Sequence, residues 1–530
     1  MALLSLPTEL IQRIVHETIP EDFEHVVLAC KQLHVASSVF LQQYNLRRKR
    51  YRHFSLSIFR IATTSRSGRD RTGVVHWDTV TEATGIKIKS VPDLLLHIAE
   101  DPVIARYIQT LNIKDDNYYH DPLRKDLDDA GGTFYPHVKD NPGPLCELVR
   151  HSPYLREAGV DLEKWITRMI DDEWMTKYMD SNAARDTALL LTLLPNVTEL
   201  APDQDWGRIP DSHKDPELWQ VLDVIVRWAN DKSLPSASLS RLEVVKPSVG
   251  IGYERRRGLS SSAPFLALNS VREFYAGSCI FYADGYTGFP FDPRYETYGA
   301  NLEKIELVGS VARFRELGEL LSRAPQLRCF HFAYETKWHG CGHNWNVGAF
   351  INAIQENVGD TLEELSITIL HCYGGRGTTL DDMTGFKRLK ALELDVNMLM
   401  APAFNKFSKN EEWLDEEGPP GDAAMPRLVD MLPSSIEAVR LFNQEYNEKQ
   451  MECVRALFKG LQEEQSMKLP HLQLVELVSP ETETETSVDA LQTLAAVRDA
   501  GGKVVLRTNA RACHPQFAVT FLERFGVDDW

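Results

Sequence analysis

The chain has 530 residues, of which 43% are hydrophobic and 25% charged, and its formal net charge is -18 at pH 7. That length predicts either about three globular domains or one extended array of repeats. The acidity argues against a general nucleic-acid binder, and no apolar run approaches the roughly 18 residues of a membrane span. Eight cysteines without a C-x-x-C pair favour a reducing compartment, so we expect a soluble protein of the cytoplasm, the nucleus or both.

Three short helices are expected at the start of the chain. Apolar residues recur at helical spacing from Leu10 to Val15, behind Pro7, which suits a first helical turn. A second helix is expected after Pro20 and a third from about 35 to 46. Because chains of about 40 residues rarely build a sufficient core alone, these helices also predict a partner.

The same helices carry a short sequence pattern. It consists of "LPTEL" at 6–10, Ile14, "PEDF" at 20–23 and "LACKQLH" at 28–34, and together these resemble an F-box. The departures are small, since Phe23 stands where Leu is usual and Leu-His replaces the commoner aromatic-basic pair before the third helix. The residues alone leave an ordinary N-terminal helical cap as the alternative.

The resemblance implies that this segment binds a Skp-family adaptor and, through it, a cullin. By that resemblance the adaptor-binding residues are Leu6, Pro7, Leu10, Ile14, Ile19, Val27 and Cys30.

The expected domain boundaries are an F-box at 1–46, a helical linker and cap at 47–105, and a repeat array at 106–530. A basic run at 45–54 spans the first boundary. It fits a nuclear-localisation patch, but a helix end that packs through its aromatic residues is the favoured interpretation.

The rest of the chain repeats one phrase, with apolar residues in its first, fourth and sixth positions. Its ten copies begin at Ile108, Val197, Leu239, Val271, Leu302, Leu327, Leu362, Leu389, Ile436 and Leu472. Helical phrases ending in a breaker lie between several copies, so each unit is expected to be a strand followed by a helix. This alternation resembles an irregular leucine-rich-repeat solenoid, as in fungal-type F-box proteins, and implies an α/β fold.

The repeats depart from the regular pattern. From Val197 onward the copies begin 25 to 47 residues apart, and the Asn or Cys usual after the strand is mostly missing. Long insertions at 114–144, 248–264, 282–298 and 409–422 account for the extra length.

Little in the sequence points to catalysis. The best metal candidate is "WHGCGHNW" at 338–345, but its alternating His339, Cys341 and His343 converge poorly, so a packed glycine-rich loop is favoured. The "YGGRGTT" at 373–379 lacks the lysine of a phosphate-binding loop. We therefore expect no enzyme activity, no cofactor and no metal site.

The fifth position of each copy is expected to point outward between two buried positions. The target-binding candidates in this column are Glu243, Tyr275, Glu306, His331, Glu393, Arg440 and Glu476, and the column also contains Ser366. Four acids face one Arg, so the column would suit a basic peptide or domain. The alternative is a solvated column without a partner.

Together the two resemblances imply the substrate-recognition subunit of an SCF-type E3 ubiquitin ligase. Such a receptor is non-catalytic and acts by proximity, since it raises the effective concentration of lysines on an unknown protein target. Two alternatives stay open: a non-catalytic protein-protein interaction scaffold acting outside a cullin ligase, and an enzyme with a pocket among the long insertions. No nucleic-acid or membrane partner is expected.

Overall fold

The computed structural model describes residues 6–56, 88, 90–113, 142–170, 179–202, 206, 215–247, 256–281, 295–336, 345–371, 376–377, 382–399, 426–443, 448–481, 488–507 and 513–525. The chain divides into two compact units, which we call unit 1 (1–248 with 268–270) and unit 2 (249–267 with 271–530). The expected mixed α/β class with parallel strands is confirmed, and the chain begins with a helical segment. Among the described residues no helix is long and apolar enough to cross a membrane.

Unit 1 opens with three helices, α1 (Thr8–Glu17), α2 (Phe23–Ala29) and α3 (Lys31–Tyr51). The third begins four residues earlier and ends five later than expected, because no Gly or Pro interrupts that stretch. It runs through residue 46 without a break, and the expected boundaries at 46 and 105 stay predictions. The rings of Phe23 and Tyr44 lie 4.5 Å apart between these helices.

The remainder of unit 1 alternates short strands with helices. Its elements are β1 (His53–Ser55), α4 (Val91–Glu100), α5 (Val103–Tyr107), β2 (Thr110–Asn112), α6 (Gly143–His151), α7 (Pro153–Glu157), α8 (Leu162–Ile170), α9 (Met179–Leu191), β3 (Glu199–Ala201), α10 (Pro216–Asn230) and β4 (Val244–Val245). The strands pair in parallel in chain order.

A buried ion pair joins two helices of unit 1. Arg185 on α9 donates to Asp215, with Nη2 2.5 Å from Oδ1, and the two side chains are 2% and 7% exposed. Asp215 also caps the first turn of α10 by accepting the backbone N–H of Leu218. The Arg185 guanidinium lies 4.8 Å from the centre of the Trp165 ring, so its charge is enclosed on more than one side.

The described residues of unit 2 form eight parallel strands and two small strand pairs. In chain order its elements are β5 (Arg257–Gly258), a 3-10 turn (Leu259–Ser262), α11 (Ala263–Leu266), β6 (Glu273–Gly277), β7 (Cys279–Ile280), β8 (Lys304–Ser310), α12 (Phe314–Ser322), β9 (Cys329–Glu335), β10 (Trp345–Asn346), α13 (Val347–Val358), β11 (Glu364–His371), β12 (Arg376–Gly377), β13 (Ala391–Asp395), α14 (Val396–Leu399), α15 (Leu428–Met431), β14 (Ala438–Phe442), α16 (Glu448–Phe458), α17 (Leu461–Lys468), β15 (Leu474–Pro480), α18 (Val488–Asp499), β16 (Lys503–Arg507) and α19 (Gln516–Phe525). The sheet order is β6-β8-β9-β11-β13-β14-β15-β16, and the small pairs are β5-β7 and β10-β12.

The repeated phrase marks the strands closely. Nine of its ten copies begin two residues before a strand, and the copy at Leu239 begins five residues before β4. Ile305 and Leu307, the fourth and sixth positions of one copy, are fully buried. Buried positions two apart hold a strand against a helical layer, which explains why the phrase finds strands.

Candidate binding surfaces

The first candidate surface is an apolar face on the three N-terminal helices. Among the described residues, ten large apolar side chains are exposed, and six of them lie in this short segment. We call these six the N-terminal face: Leu10, Ile14, Leu28, Val35, Val39 and Leu46, which are between 41% and 80% exposed. Such a concentration of exposed apolar surface is typical of a protein interaction site.

Helical spacing separates this face from the core. On α1, Leu10 and Ile14 stand four residues apart on the outer side, whereas Ile11 and Val15 are buried. On α3 the same spacing recurs at residues 35 and 39. A groove between α1 and the start of α3 is lined by Thr8, Ile11, Lys31, Gln32, Val35 and Ala36.

The structure separates the seven residues assigned to adaptor binding into two groups. Five reach the surface fully or in part: Leu6, Pro7, Leu10, Ile14 and Cys30. Ile19 and Val27 are only 9% and 6% exposed, so in this conformation they hold the helices together and do not face a partner. The sequence assignment did not include four exposed members of the N-terminal face: Leu28, Val35, Val39 and Leu46.

The chain itself completes the core behind this face. Arg106 and Asn196 both donate to Glu21 Oε1, from 2.9 and 2.8 Å. Burial alone would raise the pKa of Glu21, but these hydrogen bonds outweigh it and lower the pKa below its ordinary value. The rings of Tyr44 and Tyr107 lie 5.6 Å apart. The core of the three helices therefore needs no partner, while their outer face stays exposed.

The basic run at 45–54 packs against unit 1. Tyr51 and Phe54 are buried, and Arg52 Nε donates to Gln109 Oε1 over 2.7 Å. Tyr51 thus packs the end of α3 as expected, whereas Phe54 packs from β1, beyond the helix.

The second candidate surface is a row of side chains across unit 2. The parallel strands of unit 2 pair in a register that sets the fifth position of each copy of the phrase beside the matching position of the next strand. We call this the strand row, in the order Tyr275, Glu306, His331, Ser366, Glu393, Arg440, Glu476 and Lys503. Six of the seven target-binding candidates are thus brought together, and Lys503 is a member that the sequence did not indicate.

Glu243 does not belong to the row, so that assignment is corrected. Its backbone N–H and that of Val244 both donate to the Thr198 carbonyl, and Val244 stands opposite Glu199 in the parallel pair. Glu243 therefore takes the second position of a copy that begins at Leu242. The copy was placed three residues too early, and Leu239, which has φ 60°, lies outside the strand.

Helix α19 covers the first half of the strand row. The ring of Phe517 lies 4.8 Å from that of His331, and the ring of Phe525 lies 5.1 Å from that of Tyr275. Beneath the helix, its apolar side joins a buried cluster made of Val308, Ala333, Phe517, Ala518 and Phe521. The strand row is therefore closed at this end, although its residues are polar or aromatic in sequence.

Arg524 neutralises the acid that α19 covers. It donates two hydrogen bonds to the carboxylate of Glu306, one of them over 3.2 Å, and Glu306 is fully buried. By itself burial raises the pKa of Glu306, but hydrogen bonds from His331 and Arg524 outweigh it and lower the pKa. Glu306 is thus an internal anchor for α19 and is not exposed to a target.

The other half of the row is a ladder of alternating charges. Arg440 bridges Glu393 over 3.0 Å and Glu476 over 2.8 Å, and Lys503 Nζ lies 2.5 Å from Glu476 Oε1. Burial alone would raise the pKa of Glu476, but hydrogen bonds from Lys503 and Arg440 lower it. Every carboxylate of the row has a cationic partner, so the expected acidic column is not what the structure shows.

The histidine-rich candidate at 338–345 falls largely outside the described residues, including His339, Cys341 and His343. Its last residue is described: Trp345 is 2% exposed, and its ring stacks on Tyr334 with centres 4.2 Å apart. The packing expected of this loop is confirmed for Trp345. Of the glycine-rich stretch at 373–379, residues 376–377 form strand β12.

Compared with known protein families and with curated proteins, the chain has no match, so its function is argued from its residues and surfaces.

Proposed function

We propose that this chain is the substrate-recognition subunit of an SCF-type E3 ubiquitin ligase. In this proposal the N-terminal face binds a Skp-family adaptor and unit 2 binds the target protein. The observation that carries it is the exposure of six apolar side chains on three helices whose sequence resembles an F-box. An adaptor interface of standard size, roughly 1,600 Å² in total, would cover them.

Leu10 and Ile14 are the anchors of the proposed interface. They lie one helical turn apart and are 47% and 41% exposed to solvent. Both adjoin the groove between α1 and α3. Fully burying such a side chain contributes about 1.5–3 kcal/mol, and because less than half of each residue is still exposed, the two together supply about 1–3 kcal/mol of binding free energy. A charge placed at either position would have to be desolvated without a partner.

The target would bind the uncovered half of the strand row. There Glu393 and Arg440 are partly exposed, with side chains at 21% and 42%. Their paired charges suit a target with charges of both signs, since a purely basic one would have to displace Arg440. The receptor itself would carry out no chemical step and would act by holding target lysines near the charged enzyme. Its proposed compartment is the cytoplasm, the nucleus or both.

The test is co-purification of the full chain with a Skp-family adaptor and a cullin. The variant is Leu10→Asp with Ile14→Asp, and the matched control is Leu234→Asp with Met467→Asp, which places the same charges at exposed apolar residues elsewhere. Deleting residues 1–45 is a poorer variant, because it would uncover the buried Tyr107.

We expect the full chain and the control to retain adaptor and cullin, and the α1 variant to lose both. Retention by all three proteins, or by none, would overturn adaptor binding at this face. Retention of the adaptor without the cullin would favour the alternative, an interaction scaffold outside a cullin ligase.

A further inference from the structure

Three side chains of different chemistry converge on strands β9 and β11. Cys329 and His331 stand two residues apart on β9 and so share a face, and Glu364 on β11 stands opposite Cys329. Cys329 Sγ lies 3.3 Å from His331 Nε2, which lies 3.8 Å from Glu364 Oε1. The three donor atoms all lie within 4.8 Å of one another.

These separations approach those of ligands around one tetrahedral ion. Zinc binds sulfur at about 2.3 Å and nitrogen or oxygen at about 2.1 Å, which places sulfur about 3.6 Å from nitrogen and nitrogen about 3.4 Å from oxygen. The sulfur–nitrogen distance between Cys329 and His331 and the nitrogen–oxygen distance between His331 and Glu364 differ from these by a few tenths of an ångström, and the sulfur and carboxylate donors lie within 4.8 Å of each other. Small side-chain rotations would therefore suffice to bind an ion, and the strands need not move.

The other ring nitrogen of His331 already has a partner. His331 Nδ1 lies 3.4 Å from Glu306 Oε2, and the fully buried Glu306 is held in turn by Arg524. A carboxylate that accepts from one ring nitrogen fixes the tautomer and directs the lone pair of the other, an arrangement common behind zinc-binding histidines. His331 thus presents Nε2 to the space between Cys329 and Glu364.

The donor set and its exposure indicate the class of metal. A thiolate with an imidazole and a carboxylate suits Zn²⁺, whereas Mg²⁺ and Ca²⁺ prefer oxygen ligands. The Glu364 side chain is 54% exposed, so water can reach a fourth position. The competing cation is Lys304, whose Nζ lies 3.9 Å from Glu306 Oε2 and whose side chain is 29% exposed, so it can turn away toward solvent.

From this geometry we propose a Zn²⁺ site formed by Cys329, His331 and Glu364, with water as the fourth ligand and Glu306 orienting the histidine. The sequence contained a sign of it in the C-x-H of one copy of the phrase and the Glu at the matching position of the next. Only the register of β11 against β9 brings the two together, and this register could not be predicted from the sequence. The site does not depend on adaptor binding.

The test measures metal binding by the purified full chain after chelation and dialysis. Zn²⁺ is titrated with elemental analysis of the bound metal, and Co²⁺ is used as a spectroscopic probe because a thiolate ligand gives a near-ultraviolet charge-transfer band. We expect one Zn²⁺ per chain and a Co²⁺ spectrum with that band.

Two variants remove ligands, and two matched controls leave the site intact. Cys329→Ser should abolish the charge-transfer band, and Glu364→Gln, at a half-exposed side chain, should weaken Zn²⁺ binding at least about 10-fold. Cys453→Ser, at a buried thiol on α16, and Glu363→Gln, at the neighbouring carboxylate, should bind like the parent chain.

Glu306→Gln tests the orienting carboxylate. Loss of such a partner typically costs about 10–100-fold in metal affinity, and the charge-transfer band should persist because the sulfur ligand is kept.

The proposal is overturned if the parent chain binds no Zn²⁺ in stoichiometric amount, or if the parent chain and Glu364→Gln bind it equally. It is also overturned if Cys329→Ser keeps the charge-transfer band while Cys341→Ser loses it, because the metal would then belong to the loop at 338–345.

Discussion

Helix α19 controls how much of the strand row in unit 2 is accessible, because it covers His331 and Tyr275. Releasing this helix should therefore have a measurable local effect. Phe521 is fully buried, and its ring packs edge-on against Phe525 with centres 4.8 Å apart. A Phe→Ala change at such a site costs about 3–5 kcal/mol when the structure stays closed around it. Since α19 is the last described element, it can instead detach locally. The loss of stability is then limited to the free energy with which α19 docks on the sheet.

We therefore expect Phe521→Ala to speed hydrogen exchange of the α19 amides about 100-fold or more, since about 3 kcal/mol corresponds to roughly that factor. Amides of β13 to β15, which α19 does not touch among the described contacts, should keep their protection. Glu523→Ala is the control on the same helix: its side chain is exposed, and the change should stay within about 0.5 kcal/mol. Unchanged protection of α19 in the Phe521→Ala protein would refute the docking account.

Three further predictions concern ion pairs. Arg185→Ala leaves Asp215 buried without its partner, so urea unfolding should show a loss of about 3–5 kcal/mol, and a loss below about 1 kcal/mol would contradict the buried pair. Because the pKa of Glu21 is lowered, its contribution is present above about pH 4.5 and is lost as the pH falls through the folded-state value. The stability difference between the parent chain and Glu21→Gln, about 1 kcal/mol at neutral pH, should then shrink as the pH falls below about 4.5, and a constant difference would argue against the Arg106 contact. Arg440→Ala should cost less than about 1 kcal/mol because the side chain is 42% exposed, and a loss above about 2 kcal/mol in urea unfolding would show that the ladder is stronger than its exposure implies.

The strands of unit 2 were predictable because the apolar positions of each copy of the phrase are the positions that a covered strand buries. Leu307, for example, is the sixth residue of its copy and is fully buried under the helical layer. The third and fifth residues of a copy point to the other side of the sheet and can be polar. The pattern failed at Leu239, because the strand pairing begins its copy three residues later, at Leu242. The strands β1 and β16 carry no copy of the phrase, so the repeat pattern did not predict them.

Contacts between distant parts of the chain could not be predicted from the sequence. Arg524 and Glu306 are 218 positions apart, and nothing near either residue marks the other as its partner. The same holds for Glu364 beside Cys329, which only register brings together.

The N-terminal helices show a different limit. Leu10 and Ile11 are both apolar and adjacent, yet one is 47% exposed and the other 1%. The helical period of apolar residues predicts that one side of a helix is buried. When the apolar residues cover more of the helix than the core can bury, the period does not show which of them stay exposed. Ile19 and Val27 are placed in the interface by the resemblance to an F-box alone, and both are buried.

The central claim is most directly tested by titrating the purified full chain with a purified Skp-family adaptor and measuring Kd by calorimetry. The account predicts one-to-one binding at micromolar Kd or tighter, weakened at least about 100-fold by Leu10→Asp with Ile14→Asp. It also predicts no change for Leu234→Asp with Met467→Asp. Absence of binding by the parent chain, or equal binding by both double variants, would contradict it.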